Sequence, residues 1–324
     1  MDKIDIVILW VDGSDAEWRK KRAKVGDREI DEVRYRDYGT LKYLFRSIEE
    51  NCEWVNQVHL ITDNQKPSWL NIEHPKLNLV DHKDFIPAEY LPTFNSNVIE
   101  LNLFRLESLS DKFILFNDDM FFNDITVPND FFIEDKIMDY GIYNKIAPNE
   151  EFAHTLLNNL IIINKYFSRR ETLKRNWDKQ FRMRYGPNLL KSILLLPWND
   201  VPGYYNHHLP QPHFKSVFEK VYTLETNKFE GFFGNKIRGN NDLNHWLFRY
   251  WLLEEGRYYP QSNKFGKYLL LSETNKLRNV ILKKRAKVLC INDVECTDDE
   301  FESLVENLNQ IFETRYPEKS KYEM

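Results

Sequence analysis

This sequence predicts an α/β fold, in which a sheet of buried strands is flanked by helices. Residues 4–11 (IDIVILWV) and 113–116 (FILF) are apolar runs of strand length, and each run ends in acidic turn residues. Between them, apolar residues from Leu41 to Ile48 recur at the spacing of one helix face. Apolar strands that alternate with amphipathic helices are typical of a parallel sheet with helices on its faces.

Two further strands and a second helix complete the first half of the pattern. Residues 58–62 (VHLIT) and 77–80 (LNLV) have strand composition, and each is followed by an aspartate. A helix is expected to begin near residues 95–97, where Asn97 and Glu100 have the spacing of a capping box. This helix leads into the strand at 113–116.

The second half predicts a helical insertion and a terminal helix. Residues from about 150 to 200 alternate apolar runs with a strongly basic stretch, which indicates helices lying over the sheet with a basic face. A solvated helix face is the favoured alternative to phosphate contact for those basic residues. Thr297 and Glu300 form a second capping box, so we expect a packing helix at about 298–315, ending before Pro317. One domain is expected to span residues 1–324.

Composition excludes several classes of protein. The net charge of −5 gives no overall basic field for nucleic acid, and neither glycine-rich nucleotide-binding motif is present. The three cysteines lack the C-x-x-C spacing of a zinc site, and their odd number favours a reducing compartment. Because apolar runs are too short for a signal peptide or a bilayer span, we expect a cytoplasmic protein without a membrane span.

Acidic turns that follow apolar strands are the strongest signal of a site. They are residues 10–15 (WVDGSD), 116–121 (FNDDMF) and 290–295 (CINDVE). If the strands are parallel neighbours, their carboxyl ends converge at the edge where open α/β sheets bind ligands. Carboxylate oxygens suit Mg²⁺ or Mn²⁺, which makes Asp118 and Asp119 the predicted metal ligands. A solvated turn is the alternative interpretation.

Arginines and histidines supply the candidate groups for an anionic ligand. Arg34 and Arg36 alternate, so they share one face of an extended segment, and Arg46, Arg105 and Arg238 lie elsewhere in the chain. For each of these arginines a surface salt bridge is the alternative.

Residues 207–213 (HHLPQPH) contain His207, His208 and His213 between prolines. A general base or a phosphate-contacting histidine is the favoured role of this group, and a structural role is the alternative for any single member.

Taken together, these motifs resemble the Stealth family, which contains bacterial capsule sugar-1-phosphate transferases and the animal GlcNAc-1-phosphotransferase. The first block is matched by residues 4–18 and the second by 34–49, 61–71 and 92–122. The third looks like residues 207–222 with 236–242, and the fourth like 290–295. The likeness runs in order through nearly the whole chain.

The resemblance implies a fold and an activity. The fold would be similar to GT-A glycosyltransferases, with a nucleotide-sugar-binding sheet in a single catalytic domain. The activity would be transfer of a hexose-1-phosphate from a nucleotide diphosphate sugar, on family grounds UDP-GlcNAc, to a hydroxyl of a growing polysaccharide, with release of UMP. A cytoplasmic location at the inner face of the plasma membrane, with peripheral association with capsule-assembly machinery, is part of the same expectation.

The resemblance also implies roles for residues. The catalytic set is His208, Asp118, Arg238 and Asp293, and the metal is held by Asp118 and Asp119. The donor-binding set is Trp10, Asp12, Gly13, Ser14, Asp15, Arg36, Arg46, Asn95, Arg105 and Asn292. His207 or His213 is an alternative to His208 in its role.

Two rival functions remain open at this point. A glycosyltransferase on the same fold would direct the acceptor to the sugar carbon and release UDP. A non-catalytic carbohydrate-binding protein is the second rival, since the aromatic content of 15% would suffice for stacking on sugars.

Overall fold

Strands and helices alternate through the first half of the chain, as predicted. The computed structural model describes residues 2–25 and 37–324. The strands are β1 (Ile4–Leu9), β2 (Val58–Thr62), β3 (Leu77–Asp81), β4 (Lys112–Asn117), β5 (Met120–Phe122), β6 (Phe132–Ile133), β7 (Lys136–Asp139), β8 (Gln211–Phe214), β9 (Tyr258–Pro260), β10 (Gly266–Leu270) and β11 (Val288–Asn292). The helices are α1 (Ala16–Ala23), α2 (Leu41–Asn51), α3 (Ser96–Leu101), α4 (Phe152–Tyr166), α5 (Arg169–Gln180), α6 (Leu189–Leu194), α7 (Lys215–Leu224), α8 (Thr226–Phe233), α9 (Trp246–Glu255), α10 (Thr274–Leu282) and α11 (Asp298–Arg315).

The central sheet has the strand order β3-β2-β1-β4-β8 among the described residues. β1 pairs in parallel with β2 on one side and with β4 on the other, whereas β8 runs antiparallel to β4. Leu9 is in register with Asn117, so the carboxyl ends of β1 and β4 lie side by side. The predicted α/β class and the parallel pairing of these two strands are therefore confirmed.

Burial explains why these strands are continuous apolar runs. The apolar residues of β1 and β4, such as Ile6, Ile8, Ile114 and Phe116, are buried, since the sheet is covered on both faces. The predicted helix is α2, and its apolar stripe, including Leu44 and Ile48, is buried as well. This packing holds the ends of β1 and β4 in a rigid frame.

The third acidic turn approaches from a different sheet. β11 pairs in parallel with β10 and antiparallel with β5, in the order β10-β11-β5. The condition that all three acidic strands be parallel neighbours in one sheet was therefore wrong for β11. Because β5 follows β4 after a turn of only Asp118 and Asp119, the end of β11 still reaches that turn.

The insertion contains three α-helices, α4, α5 and α6; α4 and α5 pack with α9, and α5 also packs with β9. None of the helices in the described ranges is both long and apolar enough to cross a lipid bilayer. A third small sheet has the strand order β6-β7-β9, and its strands β6 and β7 precede the insertion whereas β9 follows it.

Helix starts were predicted with mixed success. The Thr297 side chain accepts a hydrogen bond from the Glu300 amide, and the Glu300 side chain accepts one from the Thr297 amide. The predicted capping box of α11 is therefore confirmed. The cap of α3 is Asn95 rather than Asn97, because the Asn95 side chain accepts a hydrogen bond from the Asn97 amide. The Glu100 carboxyl is thereby free of a capping role.

Candidate active site

The turn Asp118–Asp119 joins β4 to β5 and lies at the centre of the candidate site. The Asp119 carbonyl accepts a hydrogen bond of 2.9 Å from the Ile291 amide, which ties the turn to β11. Asp119 Oδ2 accepts a hydrogen bond of 3.2 Å from the Cys290 thiol and lies 3.5 Å from His208 Nε2. Ligand atoms of Asp119, His208 and Cys290 all lie within 4.8 Å of one another. Three distant parts of the chain therefore meet at one carboxylate.

Neighbouring carboxylates crowd the same space. Burial raises the pKa of Asp118 to about 7, and repulsion from Asp119 and Asp37 adds to the effect. Burial also raises the pKa of Asp37, with a further contribution from Asp12 at the end of β1. The pKa of the Tyr38 phenol is raised by burial and then by Asp293, Asp119 and Asp118, which brings the fourth-block aspartate into the same surroundings. The acidic strand ends thus converge as expected.

Of the three histidines, His208 is the one that reaches the acidic turn. Burial alone would lower the pKa of His208, but the contact with Asp119 and the charge of Glu100 raise it above the usual value. His207 is packed against the Tyr140 ring at 4.6 Å, and burial lowers its pKa to about 3. His213 is buried in β8, where Nε2 lies 3.1 Å from His245 Nδ1. The geometry therefore favours His208 over the other two.

Glu100 is a site residue that sequence reasoning missed. It is buried on α3, and its Oε2 has no hydrogen-bond partner in the part of the chain that the structure describes. Burial raises the pKa of Glu100 to about 7, against the opposing effects of Arg238, the His245 backbone and His208. The sequence signal for Glu100 was its position inside the apolar run VIEL (98–101). Burying an unpaired carboxylate costs free energy, and such groups are often functional.

Arg238 lies beside the same helix. Its Nη2 donates a hydrogen bond of 2.8 Å to Ser96 Oγ, and its charge acts on both Glu100 and His208. The side chain is exposed, so it remains accessible to a ligand. His208 is consequently flanked by the carboxylates of Asp119 and Glu100 and by one arginine.

The turn after β1 is closed mainly upon itself. Asp12 Oδ1 accepts hydrogen bonds from the Ser14 amide and hydroxyl, and the Asp12 backbone exchanges two bonds with the Gln65 side chain. Asp15 caps α1, and hydrogen bonds from the Trp18 and Glu17 amides lower its pKa. Ser14 is exposed at the tip of this turn, whereas Gly13 is buried.

Comparison with known proteins finds relatives over the full length of the chain. Residues 2–29 match conserved region 1 of the Stealth proteins, and residues 34–140 match conserved region 2. The capsular polysaccharide phosphotransferase WcwK of Streptococcus pneumoniae is 42% identical over 332 residues, covering 100% of this chain and 98% of that protein. The exopolysaccharide phosphotransferase cps2G of Lactiplantibacillus plantarum is 40% identical, covering 99% of this chain and 96% of that protein.

The chain belongs to the Stealth family. Its full-length relatives are phosphotransferases by name, and the chain is a transferase. Among solved structures, the galactosyltransferase LgtC is similar with 11% identity and a TM-score of 0.39, covering 94% of this chain and 95% of that one. The bifunctional glycosyltransferase WbbM has 13% identity and a TM-score of 0.40, covering 98% and 52%.

Several predicted donor-binding residues of this Stealth protein are engaged by its own fold. Arg46 binds Glu323 through Nε at 2.8 Å and Nη2 at 2.9 Å, and its Nη1 donates to the Tyr316 carbonyl. Arg105 donates to Asn102 and to the Tyr222 hydroxyl. None of these contacts joins Arg46 or Arg105 to the Asp118–Asp119 turn.

The other predicted site residues of this Stealth protein lie in several different parts of the fold. Asn95 caps α3 and donates a bond of 2.7 Å to Asp242. Trp10 is buried, and its Nε1 has no hydrogen-bond partner within the described ranges. Asn292 ends β11, and Asp293 Oδ1 accepts from the Val294 amide at 2.7 Å. Arg34 and Arg36 lie outside the described residues.

The donor groups at the acidic turn fit a hard divalent cation. Asp119 Oδ1 is buried and lacks a hydrogen-bond partner among residues 2–25 and 37–324, so one ligand position is available. The Cys290 thiol donates a hydrogen bond to Asp119 Oδ2, and a soft sulfur ligand is not one that Mg²⁺ or Mn²⁺ prefers. Carboxylate oxygens are the ligands that Mg²⁺ or Mn²⁺ prefers, and Asp119 offers one beside the His208 imidazole. Asp118, the other predicted metal ligand, does not belong to the cluster that Asp119, His208 and Cys290 form.

A cleft of about 390 Å³ opens at the carboxyl ends of β2 and β3. It is lined by Lys21, Asp63, Asn64, Asp81, His82, Lys83, Leu91 and Pro92. The cleft adjoins the turn after β1. Gln65 directly follows the lining residue Asn64 in sequence, and its side chain bonds to the Asp12 backbone. An open cleft with charged side chains in its lining, next to the turn after β1, is a suitable place for part of a larger ligand.

Proposed function

We propose that this protein transfers a sugar-1-phosphate, GlcNAc-1-phosphate from UDP-GlcNAc, to a hydroxyl of a growing capsular or cell-surface polysaccharide and releases UMP. The observation that carries the proposal is the group formed by Asp119, His208, Glu100 and Arg238, in which His208 interacts with both carboxylates. Whole-length similarity to polysaccharide phosphotransferases supports the reaction class.

The reaction would balance as a phosphoryl transfer. The acceptor hydroxyl oxygen attacks the phosphorus that carries the sugar, and a new phosphorus–oxygen bond forms. The bond from that phosphorus to the oxygen bridging the two phosphates breaks, and this oxygen leaves with UMP. The proton of the acceptor hydroxyl passes to a base of the protein.

Glu100 is the base that the geometry supports best. Its carboxyl is buried with an unpartnered oxygen, and its pKa of about 7 is close to the working pH of a cytoplasmic enzyme. A base is most effective when its pKa lies near that pH. This assigns to Glu100 the role that the sequence suggested for His208.

Arg238 and His208 help to stabilise negative charge in this scheme, Arg238 directly and His208 through the cation. Arg238 is exposed beside Glu100, so its guanidinium can bind the oxygens of the transferred phosphoryl group. Asp119, Asp118 and His208 would hold the divalent cation, which when bound neutralises charge on the diphosphate and on the leaving UMP. The cleft beside β2 and β3 is the proposed place of the nucleoside.

The nucleotide product tests the proposal. The protein is incubated with a panel of UDP-sugars, a polysaccharide acceptor and Mg²⁺ or Mn²⁺, and UMP and UDP are separated by chromatography. UMP with a new phosphodiester signal in ³¹P NMR is the expected result. UDP as the product would instead establish a glycosyltransferase, and binding of sugar without either nucleotide would establish the carbohydrate-binding alternative.

A further inference from the structure

The helical insertion exposes an apolar surface that the active site does not use. Seven of the sixteen exposed large apolar side chains in the described residues lie between Trp177 and Trp198. We define the apolar patch as Leu190, Ile193, Leu194, Leu196 and Trp198, whose side chains are 40% to 70% exposed. Such a concentration on a protein surface marks an interaction site more often than a random scatter does.

The patch is one continuous face of the chain. Leu190, Ile193 and Leu194 are at positions i, i+3 and i+4 of α6, so they share one side of the helix. The amides of Leu196 and Trp198 bond to the carbonyls of Ile193 and Leu195, which keeps the following residues folded against the end of α6. The exposed face is therefore a compact ridge of aliphatic side chains with a tryptophan at one end.

Rearrangement within the fold does not offer a way to bury this face. The opposite side of α6 is already packed, because Ser192 is buried and its Oγ accepts a bond of 2.9 Å from the Tyr143 amide. Leu189 and Leu195 pack against the hydrophobic clusters of the protein. Turning the helix to hide Leu190 and Leu194 would expose these residues and break that bond.

Basic side chains border the patch. Arg170 on α5 donates a bond of 2.6 Å to Asn199, and the Arg169 guanidinium binds the Trp198 carbonyl, so the start of α5 lies against the tryptophan end. Lys174 is one turn further along the same side of α5, and both Arg170 and Lys174 are exposed. Residues 169–200 contain eight Lys or Arg against three Asp or Glu, in a chain whose net charge is −5.

We propose that the apolar patch and its basic border dock this protein on the surface of an anionic lipid bilayer. Aliphatic side chains and a tryptophan beside Lys and Arg are the composition of interfacial helices, in which apolar residues enter the headgroup boundary and basic residues meet anionic lipids. A second copy of the chain fits less well, because a twofold contact on this face would bring like charges together. A membrane surface has the complementary charge.

Vesicle flotation tests the proposal with the full-length protein. The vesicles contain phosphatidylcholine alone or an equal mixture of phosphatidylcholine and phosphatidylglycerol. The protein is expected to float with the anionic vesicles only, and less as salt is raised. The double variant Leu194→Glu/Trp198→Ser is expected to bind at least about tenfold more weakly. Ile125→Glu, an exposed isoleucine outside the insertion, is the matched control and is expected to bind like the unchanged protein.

A second variant addresses the charge and the fold. Arg170→Glu/Lys174→Glu alters only exposed groups and is expected to abolish the preference for anionic vesicles, with an unchanged thermal unfolding midpoint. Failure of the unchanged protein to float with anionic vesicles would overturn the proposal, as would equal flotation of Leu194→Glu/Trp198→Ser. A concentration-dependent dimer that Leu194→Glu dissociates, without vesicle binding, would overturn it in favour of a second copy.

Discussion

The Cys290 thiol donates a hydrogen bond of 3.2 Å to Asp119 Oδ2 across 171 residues of sequence. This bond connects the end of β11 to the turn after β4, and the backbone bond from Ile291 to Asp119 lies beside it. One oxygen of the carboxylate is thereby engaged, while Oδ1 has no hydrogen-bond partner among the described residues. The buried thiol thus orients the carboxylate that we assign to the cation.

Removal of that thiol donor is expected to weaken cation binding. Cys290→Ala leaves Asp119 Oδ2 without its donor, and loss of such a supporting bond typically costs about 10- to 100-fold in metal affinity or activity. Cys290→Ser keeps a donor and is expected to be the milder variant. Titration of Mn²⁺ followed by activity measures the effect, and equal affinities in both variants would contradict the assignment.

Asp119→Asn is expected to abolish transfer while the protein stays folded. The amide keeps the size of the side chain but removes the charge at the one position where buried Oδ1 is unpartnered. Asp124→Asn, at a partly exposed aspartate outside the candidate site, is the control and is expected to retain activity. Chelation of the divalent cation is expected to reproduce the loss in the unchanged protein. Full activity of Asp119→Asn would refute the metal assignment.

Glu100→Gln is expected to abolish activity and to stabilise the fold at alkaline pH. The folded pKa of about 7 lies above the ordinary value of 4.5, so the native state holds this proton more tightly than the unfolded state. The free energy of unfolding therefore falls as pH rises between these two values, and glutamine removes a penalty of roughly 3 kcal/mol above pH 7. Urea unfolding at pH 5 and pH 8 measures the difference. A variant that is active, or less stable at pH 8, would exclude Glu100 as the base.

Breaking the buried ion pair between Arg249 and Asp139 is expected to lower the free energy of unfolding by about 3–5 kcal/mol. Arg249 Nη2 lies 2.8 Å from Asp139 Oδ1 and also donates to the Tyr205 carbonyl at the start of the histidine loop. Burial alone would raise the pKa of Asp139, but Arg249 holds it below its ordinary value, so the pair stabilises at neutral pH and weakens as the carboxylate is protonated in acid.

Arg249→Met leaves the Asp139 carboxylate buried and unpaired. The loss in free energy of unfolding is therefore expected to shrink as pH is lowered from neutral. Arg257→Met, which removes a half-buried arginine from two long ion pairs, is the control and is expected to cost less than about 1 kcal/mol. Urea unfolding at pH 7 and pH 5 separates the two variants. A deficit that grows in acid would contradict the explanation.

Arg46→Gln separates a structural role from a donor-binding role. We expect lower stability, because Glu323 and the Tyr316 carbonyl lose their buried partner, and we expect an unchanged KM for the donor. Glu323→Gln should have the same effect from the other side of the pair. A raised KM with unchanged stability would instead restore the phosphate-binding role that the sequence predicted.

Local pattern was sufficient for the strands, the main helix and the acidic turns, because buried parallel strands are short apolar runs and their turn residues follow directly in sequence. It also identified the family, since the four blocks follow one another along the chain. Local pattern was insufficient for Asn97 and Glu100, whose spacing suggested a cap while packing placed Asn95 in that position.

By itself, the sequence determined the α/β class, the Asp118–Asp119 turn and the set of three histidines. Only the tertiary structure decided that His208 meets Asp119, that Cys290 supports it from another sheet, and that Glu100 faces inward. It also decided that Arg46 pairs with Glu323 at the far end of the chain. The physical reason is that spacing specifies neighbours within a strand or a helix, whereas contacts between residues about 100 or more positions apart depend on how the whole core packs.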